Sequence, residues 1–462
     1  MKNIIIIGSG LAGSTLANLL INSFHVTILE KGSDEISIPP KNYVKRKLGD
    51  SITYCHGTGG TTNLWHNGLI TLPPSDDGSI FSEIIKSLDI YTDKAACLLK
   101  FPGSYTKERE SQLIYYYDKF KAIDISNKLD TILVPKCQTK INLDKRVKIY
   151  HNVTNINYNF INDNTINSID ILTKNNNNHN LKVDYIIICA GGIGTPTVVS
   201  NILESKKIPA NSLGNGFIDH PMGFIGKIKV KKEYRDIFKD FVNKNQTNYI
   251  SRCGIVIENN KYSHICYFRP ACTMTNSMKI YKFKSFLGTS TLKEKLKCIF
   301  DKRFYHPDIL LEVLMHFTSM QIDNGVYSLW LVFEQKKSDS KNSIIPNNNI
   351  DTINWEINKN EESNYLTAIK DIKNKLLPFA EKINIVESNI NDYLWSAAHH
   401  SGTISFGDNP ENIDSNLKLN SISNVYICDG SVIQNHSYTN TGLTIAQLCC
   451  RLYDYLNDKE NI

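Results

Sequence analysis

Two adjacent imidazoles stand at the head of a small, glycine-containing turn, His399-His400 in "SAAHHSGTISFG". Imidazole titrates near neutrality, so either ring has the chemistry of a general base or acid at physiological pH. A His-His pair is equally compatible with a surface or core-edge position, and the rest of the chain must decide. A second constellation lies at the other end, in "IIIIGSGLAGSTLANLLINSFHVTILE", where Gly8-x-Gly10-x-x-Gly13 is followed by an acid, Glu30. In such a turn Gly8 permits the tight bend, Gly10 lets the backbone approach a pyrophosphate, and Gly13 lets a helix pack on a strand. The helix N-terminus offers unpaired N–H groups, and an acid about twenty residues on can accept hydrogen bonds from ribose hydroxyls. The pattern does not separate FAD from NAD, but an acid at position 30 argues against a 2′-phosphate.

The elements around this turn are those it needs. An all-isoleucine run reads as a buried strand, Leu16, Ala17, Leu19 and Leu20 as one side of a helix, and "HVTILE" as a second strand. Residues 147 to 190 alternate strand-like segments with turns and return to "YIIICAGG", a third parallel strand, with Thr195-Pro196 at a helix start. The dinucleotide domain is therefore expected to be discontinuous. Between its pieces, "SQLIYYYDKF", "LKEKLKCIFDKRF" and "NYLTAIKDIKNKLLPFAEKI" read as helices and "SLWLVFEQ" as a strand.

A chain of 462 residues is long enough for two domains or one domain with an inserted lobe. The net charge of +6 is too small to argue for nucleic acid, and no apolar run approaches the roughly 18 residues of a membrane span. The isoleucine run after Met1 is too short for a signal peptide. Eleven cysteines, with no C-x-x-C pair, suit reduced thiols in a cytoplasm and point to no metal site. The basic stretch from Met278 to Phe304, with Lys279, Lys282, Lys284, Lys293, Lys295, Lys297, Lys302 and Arg303, is most simply a solvated face; a membrane-surface contact or an anionic-substrate patch is the sharper alternative.

The C-terminal stretch then gives the order His-x-x-Gly-Thr, a strand ending in Asp429-Gly430-Ser431, and Asn440 entering a helix. With "GTGGTTNLWHNG" at 57 to 68, "CAGGIGTP" at 189 to 196 and "LGNGFIDHP" at 213 to 221, it resembles the glucose-methanol-choline (GMC) family of flavin-dependent oxidoreductases. The motifs run from residue 4 to 451 in the family's order. The resemblance implies an α/β fold: a discontinuous Rossmann-like FAD-binding domain (1–75, 145–225, 386–462), a cap segment (76–144) and an α+β substrate-binding lobe (226–385).

It also implies oxidation of an alcohol by base-assisted hydride transfer to the flavin N5. Gly402 and Thr403 fix the register of the catalytic histidine on His399, leaving His400 to point elsewhere, and the second active-site position falls on Asn440. Cofactor contacts fall on Gly59 and Gly60, Val153, Ala190 and Gly191, Asp429 and Gly430, and the helix start at Thr441. The position where some members tether FAD through a histidine is Leu64, so noncovalent FAD is expected, with His56 and His66 bordering the site. The expected substrate is a sugar, polyol or other secondary alcohol, in a glycan or natural-product pathway. Oxygen, a quinone or a protein remains open as electron acceptor. A lyase-type flavoprotein, or one that binds flavin without turnover, is the alternative on the same fold.

Overall fold

The computed structural model describes residues 1–49, 52–121, 128–136, 141–259, 262–289, 296–318, 323–337, 341–347 and 350–461. Lys293 and Lys295 of the basic stretch, with the first residues of its expected helix, lie outside them.

Two sheets carry the architecture. The first is a five-stranded parallel sheet in the order Val425–Ile427, Tyr185–Ile188, Asn3–Ile7, His25–Leu29, Lys148–Tyr150. Its strands come from three distant parts of the chain. The helices Leu11–Leu20, Gly191–Ser205 and Thr441–Asn461 belong to the same unit. The isoleucines are continuous rather than alternating because a parallel sheet is covered on both faces, and Ile4 to Ile7 are all buried. A three-stranded antiparallel meander, Val153–Asn162, Thr165–Thr173 and Asn178–Lys182, leads back into Tyr185–Ile188.

The second sheet is antiparallel and eight-stranded. Its spine is Lys244–Asn245, Tyr249–Asn259, Tyr262–Pro270, Val326–Val332, Pro221–Val230 and Ala380–Ile385, with Leu129–Pro135 on the second strand and Trp395–Ser396 on the fifth. Strand Pro221–Val230 runs across the expected boundary at 225/226, and Leu129–Pro135 comes from the expected cap segment. One face, with Phe268 on it, packs on a core that includes Phe238 and Phe241 from helix Arg235–Val242 and Tyr365 and Ile369 from helix Lys359–Leu376.

Three helices differ from the sequence expectation: the described part of the one expected at 292–304 breaks at Ile299–Asp301 and resumes only as the 3-10 turn Lys302–Tyr305. The long one ends at Leu376, because Pro378 cannot continue it, and "AEKI" becomes strand Ala380–Ile385. The other begins at Gly191, four residues before Thr195, so that Pro196 lies inside it. Proline has no N–H for the carbonyl of Gly192 four residues earlier. The Thr403 hydroxyl donates to that carbonyl instead, at 2.8 Å. The Gly-Thr of the histidine turn is thus fastened to the cofactor-side helix.

Candidate active site

A cavity of about 560 Å3 lies between the two sheets, lined on one side by the glycine-rich turns and on the other by strands of the antiparallel sheet. Its size falls within the usual range for small-molecule and cofactor sites. Among the three glycines of the first turn, Gly8 and Gly13 are structural. A Cβ on Gly8 would lie 2.4 Å from the Cys189 carbonyl oxygen at φ +104, and one on Gly13 would lie 2.0 Å from the Gly8 oxygen. A Cβ on Gly10 would meet no protein atom within 4 Å and would project into open space at the N-terminus of helix Leu11–Leu20. That open cradle at a helix start, on the cavity wall, fits a pyrophosphate. Gly191 offers the same at the next helix, with open space above its Cα.

The remaining cofactor candidates divide. Gly10, Glu30, Gly60, Val153, Ala190, Gly191, Asp429, Gly430 and Thr441 all line the cavity. Gly59 does not: its N–H donates to the Ser9 carbonyl at 3.2 Å, and a Cβ on Gly60 would lie 3.3 Å from Gly10 Cα, so this pair buttresses the first turn. Glu30 is engaged by the chain itself. Its Oε2 accepts from Ser9 N–H (3.0 Å) and Ser9 Oγ (2.6 Å), and its Oε1 from the N–H groups of Gly32 (2.8 Å) and Gly57 (3.1 Å). Four donors from the chain already occupy the carboxylate, so Glu30 holds three loops together at the cavity wall. Val153 likewise spends its N–H on the Glu30 carbonyl, at 3.0 Å. Asp429 accepts from Gly191 N–H (2.8 Å), Thr195 Oγ1 (2.6 Å) and Ser431 N–H (2.8 Å), and burial raises its pKa.

The histidine turn follows strand Trp395–Ser396, and its register is set by pairing with the "FIDHP" segment. Ile218 bridges Ser401, and Pro221 and Met222 pair with Ser396 and Trp395. Antiparallel pairing counted from the Ile218–Ser401 bridge puts His220 opposite His399. Their Nδ1 atoms are 2.8 Å apart, and His220 Nε2 lies 2.6 Å from the Ser437 carbonyl oxygen. A carbonyl only accepts, so His220 carries its proton on Nε2 and its neutral Nδ1 is an acceptor. His399 must then donate through Nδ1, which leaves the lone pair on Nε2, a nitrogen without a hydrogen-bond partner among the described residues. Burial holds the His399 imidazole down to about 4, and burial with the neighbouring His436 and His399 rings holds His220 well below its ordinary value, so both rings are neutral at pH 7. Beneath them Asp219 accepts from the N–H groups of His220 (2.7 Å) and His399 (3.0 Å) and from the Ser396 hydroxyl; burial raises it to about 7. Ala398, immediately before His399, is held at φ +61, a conformation costing a β-carbon-bearing residue on the order of 1–3 kcal/mol.

His400 also borders the cavity, but it is buried among Tyr54 and Phe217, and its Nε2, 3.7 Å from Asp219 Oδ2, has no hydrogen-bond partner among the described residues. Asn440 opens the last helix at the cavity wall and donates through Nδ2 to the Gly68 carbonyl at 3.0 Å. Its second amide hydrogen remains available. His56, Leu64 and His66 all line the cavity as well.

Comparison with known proteins places this arrangement. The pyridoxine 4-oxidase of Mesorbium loti shares the fold, with a TM-score of 0.58 over 99% of each chain at 12% identity. A family model described as GMC oxidoreductase matches residues 356–448, the part that carries His399 and Asn440. This C-terminal part is similar to the GMC oxidoreductases, and the chain as a whole shares the fold of the pyridoxine oxidase. An uncharacterized protein of Methanocaldococcus jannaschii is 26% identical over 228 residues, 47% of this chain; the match spans only 56% of that relative's own length. FAD-dependent oxidoreduction at CH–OH groups is the general chemistry of the GMC family. Among the described residues no helix is long and apolar enough to cross a membrane.

The GMC motifs did not disclose the other wall of the site. Ile132, Val134, Met222, Arg252, Tyr267, Arg269, Trp330 and Val332 project from the antiparallel sheet into the cavity. The i, i+2 spacing of 132/134, 267/269 and 330/332 is the signal, since those pairs share one sheet face. It becomes legible only once the strands are paired.

Proposed function

We propose that this protein oxidises a sugar, polyol or other secondary alcohol to a carbonyl, with His399 as the base and Asn440 as a hydrogen-bond donor to the reacting oxygen. The hydrogen-bond chain Ser437–His220–His399 carries this reading, because it leaves one neutral imidazole nitrogen, Nε2, with a lone pair at the cavity. The turns at Gly8–Gly10, Ala190–Gly191 and Asp429–Gly430 and the helix start at Thr441 would hold FAD, which when bound would supply the acceptor for hydride from the alcohol carbon. Leu64 stands where a tethering histidine would be, which supports noncovalent binding.

The chain's own residues do the rest. As carbon loses hydride its oxygen would carry alkoxide charge, and transfer of the hydroxyl proton to His399 Nε2 prevents that. Asn440, fixed by Gly68, presents its remaining N–H to the same oxygen without bringing a charge. The helix behind it aims its N-terminal N–H groups, beginning at Thr441, at the cavity, where a partial positive charge favours an anion. Asp219 and His220 hold the base in place and in one tautomer.

The deciding experiment is anaerobic exposure of the flavin-loaded protein to a panel of sugars, polyols and simple secondary alcohols. Bleaching of the oxidised flavin by at least one is expected; an unchanged spectrum across the panel overturns the reading. Acid precipitation should release the flavin into the supernatant, and a yellow pellet would show a covalent link.

A further inference from the structure

The cavity is charged at one end in a way the alcohol-oxidising machinery does not use. Its acids, Glu30, Asp351 and Asp429, sit at the glycine-rich end and are each bonded, to backbone N–H groups, to Lys41 at 2.9 Å, or to Gly191 and Thr195. On the antiparallel sheet the charged side chains lining the cavity are two guanidiniums, Arg252 and Arg269. They are close enough to repel: burial and Arg269 together lower Arg252 to about 9.

Arg252 has no ion-pair partner among the described residues, and Arg269 shares the one it has. Arg252 donates from Nε to the Asn243 Oδ1 at 2.7 Å, and among the described residues no carboxylate is within ion-pairing reach of it. Arg269 has Glu312 at 2.5 Å, but Glu312 also pairs with Lys284 at 2.5 Å. Arg252, Arg269 and Lys284 thus draw mainly on one carboxylate, Glu312, because Asp308, the other acid acting on Lys284, is paired with Lys227. The next acid, Asp130, is already taken by Arg109 at 2.7 Å and Tyr438 at 2.9 Å. A buried guanidinium without a counter-ion is costly, and its planar fork of donors matches an oxyanion.

We propose that the substrate carries an anionic group, a carboxylate or a phosphate, beside the hydroxyl to be oxidised, and that Arg252 and Arg269 bind it against the antiparallel sheet. The inference rests on the alcohol-oxidising reading of the cavity for the hydroxyl, but not for the anion. Met222, Tyr267, Trp330 and Val332 complete a mostly apolar wall around the pair, where an ion pair is stronger than in water. The anion thus fixes which hydroxyl reaches His399.

The test uses matched alcohols with the FAD-loaded protein under anaerobic conditions: glycerol, glycerate and glycerol 3-phosphate, then glucose, glucuronate and glucose 6-phosphate. In parallel the oxidised flavin spectrum is titrated with inorganic phosphate and with acetate, which cannot be oxidised. An anionic member of a set should bleach the flavin at concentrations about tenfold or more below its neutral partner. Arg252→Gln, which keeps a polar partner for Asn243, should erase that preference while retaining flavin, and Arg252→Lys should restore part of it. The glycerate and glycerol 3-phosphate arms tell carboxylate from phosphate. If no alcohol reduces the flavin but phosphate or acetate shifts the wild-type spectrum and not that of Arg252→Gln, the anion site stands and the alcohol reading falls. If neutral alcohols react as well as their anionic partners and neither anion perturbs the flavin, the anion site falls and the alcohol reading stands. Absence of both effects overturns the proposal.

Discussion

The two walls of the cavity are built by opposite means. On the parallel-sheet side the contacts are backbone: open space above Gly10 and Gly191, and helix starts at Leu11, Gly191 and Thr441. On the antiparallel side they are side chains, alternate residues of strands drawn from 129 to 396. The first wall tolerates almost no change, because a single Cβ in the wrong place fills the cradle or breaks the turn. The second can change one side chain at a time without moving a strand. A shared cofactor on one wall and a variable substrate on the other is what that division suits.

The sharpest way to break the contrast is to put a side chain into each wall. Gly10→Val should fold, since nothing within 4 Å opposes its Cβ, yet lose nearly all bound flavin; flavin stoichiometry against circular dichroism measures this, and a yellow Gly10→Val would refute the cradle. Gly13→Ala should instead fail to fold, its Cβ lying 2.0 Å from the Gly8 oxygen. On the side-chain wall, His220→Ala should keep flavin and slow its reduction by on the order of 10–100-fold, the usual loss when a ligand's orienting partner goes. Reduction at the wild-type rate would show that His399 needs no help with its tautomer.

Where the walls meet, Thr403→Val removes the hydroxyl that replaces the N–H missing at Pro196. It should cost about 1–3 kcal/mol in urea unfolding of the flavin-loaded protein. An unchanged midpoint would mean the Gly192 carbonyl has another partner. The smallest effect concerns pH. With His399 held down to about 4 by burial, the neutral base persists on acidification, so flavin reduction should show at most a small step between pH 8 and 6, as Asp219 titrates near 7, and its main decline as pH falls toward 4. A rate already halved near pH 6.5 would contradict that burial.

The same division explains what the sequence disclosed. Glycine turns and helix starts are contiguous in the chain, so Gly8, Gly10 and Gly13, Ala190-Gly191 and Asp429-Gly430 could be read directly. His399 was legible because Gly402 and Thr403 follow it, and both turn out to have physical work. A Cβ on Gly402 would lie 2.3 Å from the Gly216 oxygen, and Thr403 caps the proline-broken helix. Glu30 directly follows strand His25–Leu29, but its four donors come from loops 2 to 27 residues away and could not be foreseen. Arg252 and Arg269 sit in ordinary strand sequence, and His220 meets His399 across 179 residues. Only strand register brings such residues together.

The most direct test of the account is the rate of anaerobic flavin reduction in His399→Ala, driven by whichever alcohol bleaches the wild type best, with His400→Ala alongside. His399→Ala should keep its full flavin content and lose reduction by about 10²–10⁴-fold, the usual contribution of a positioned base, while His400→Ala loses far less. A flavin-replete His399→Ala that is reduced at near the wild-type rate would remove the base from the site.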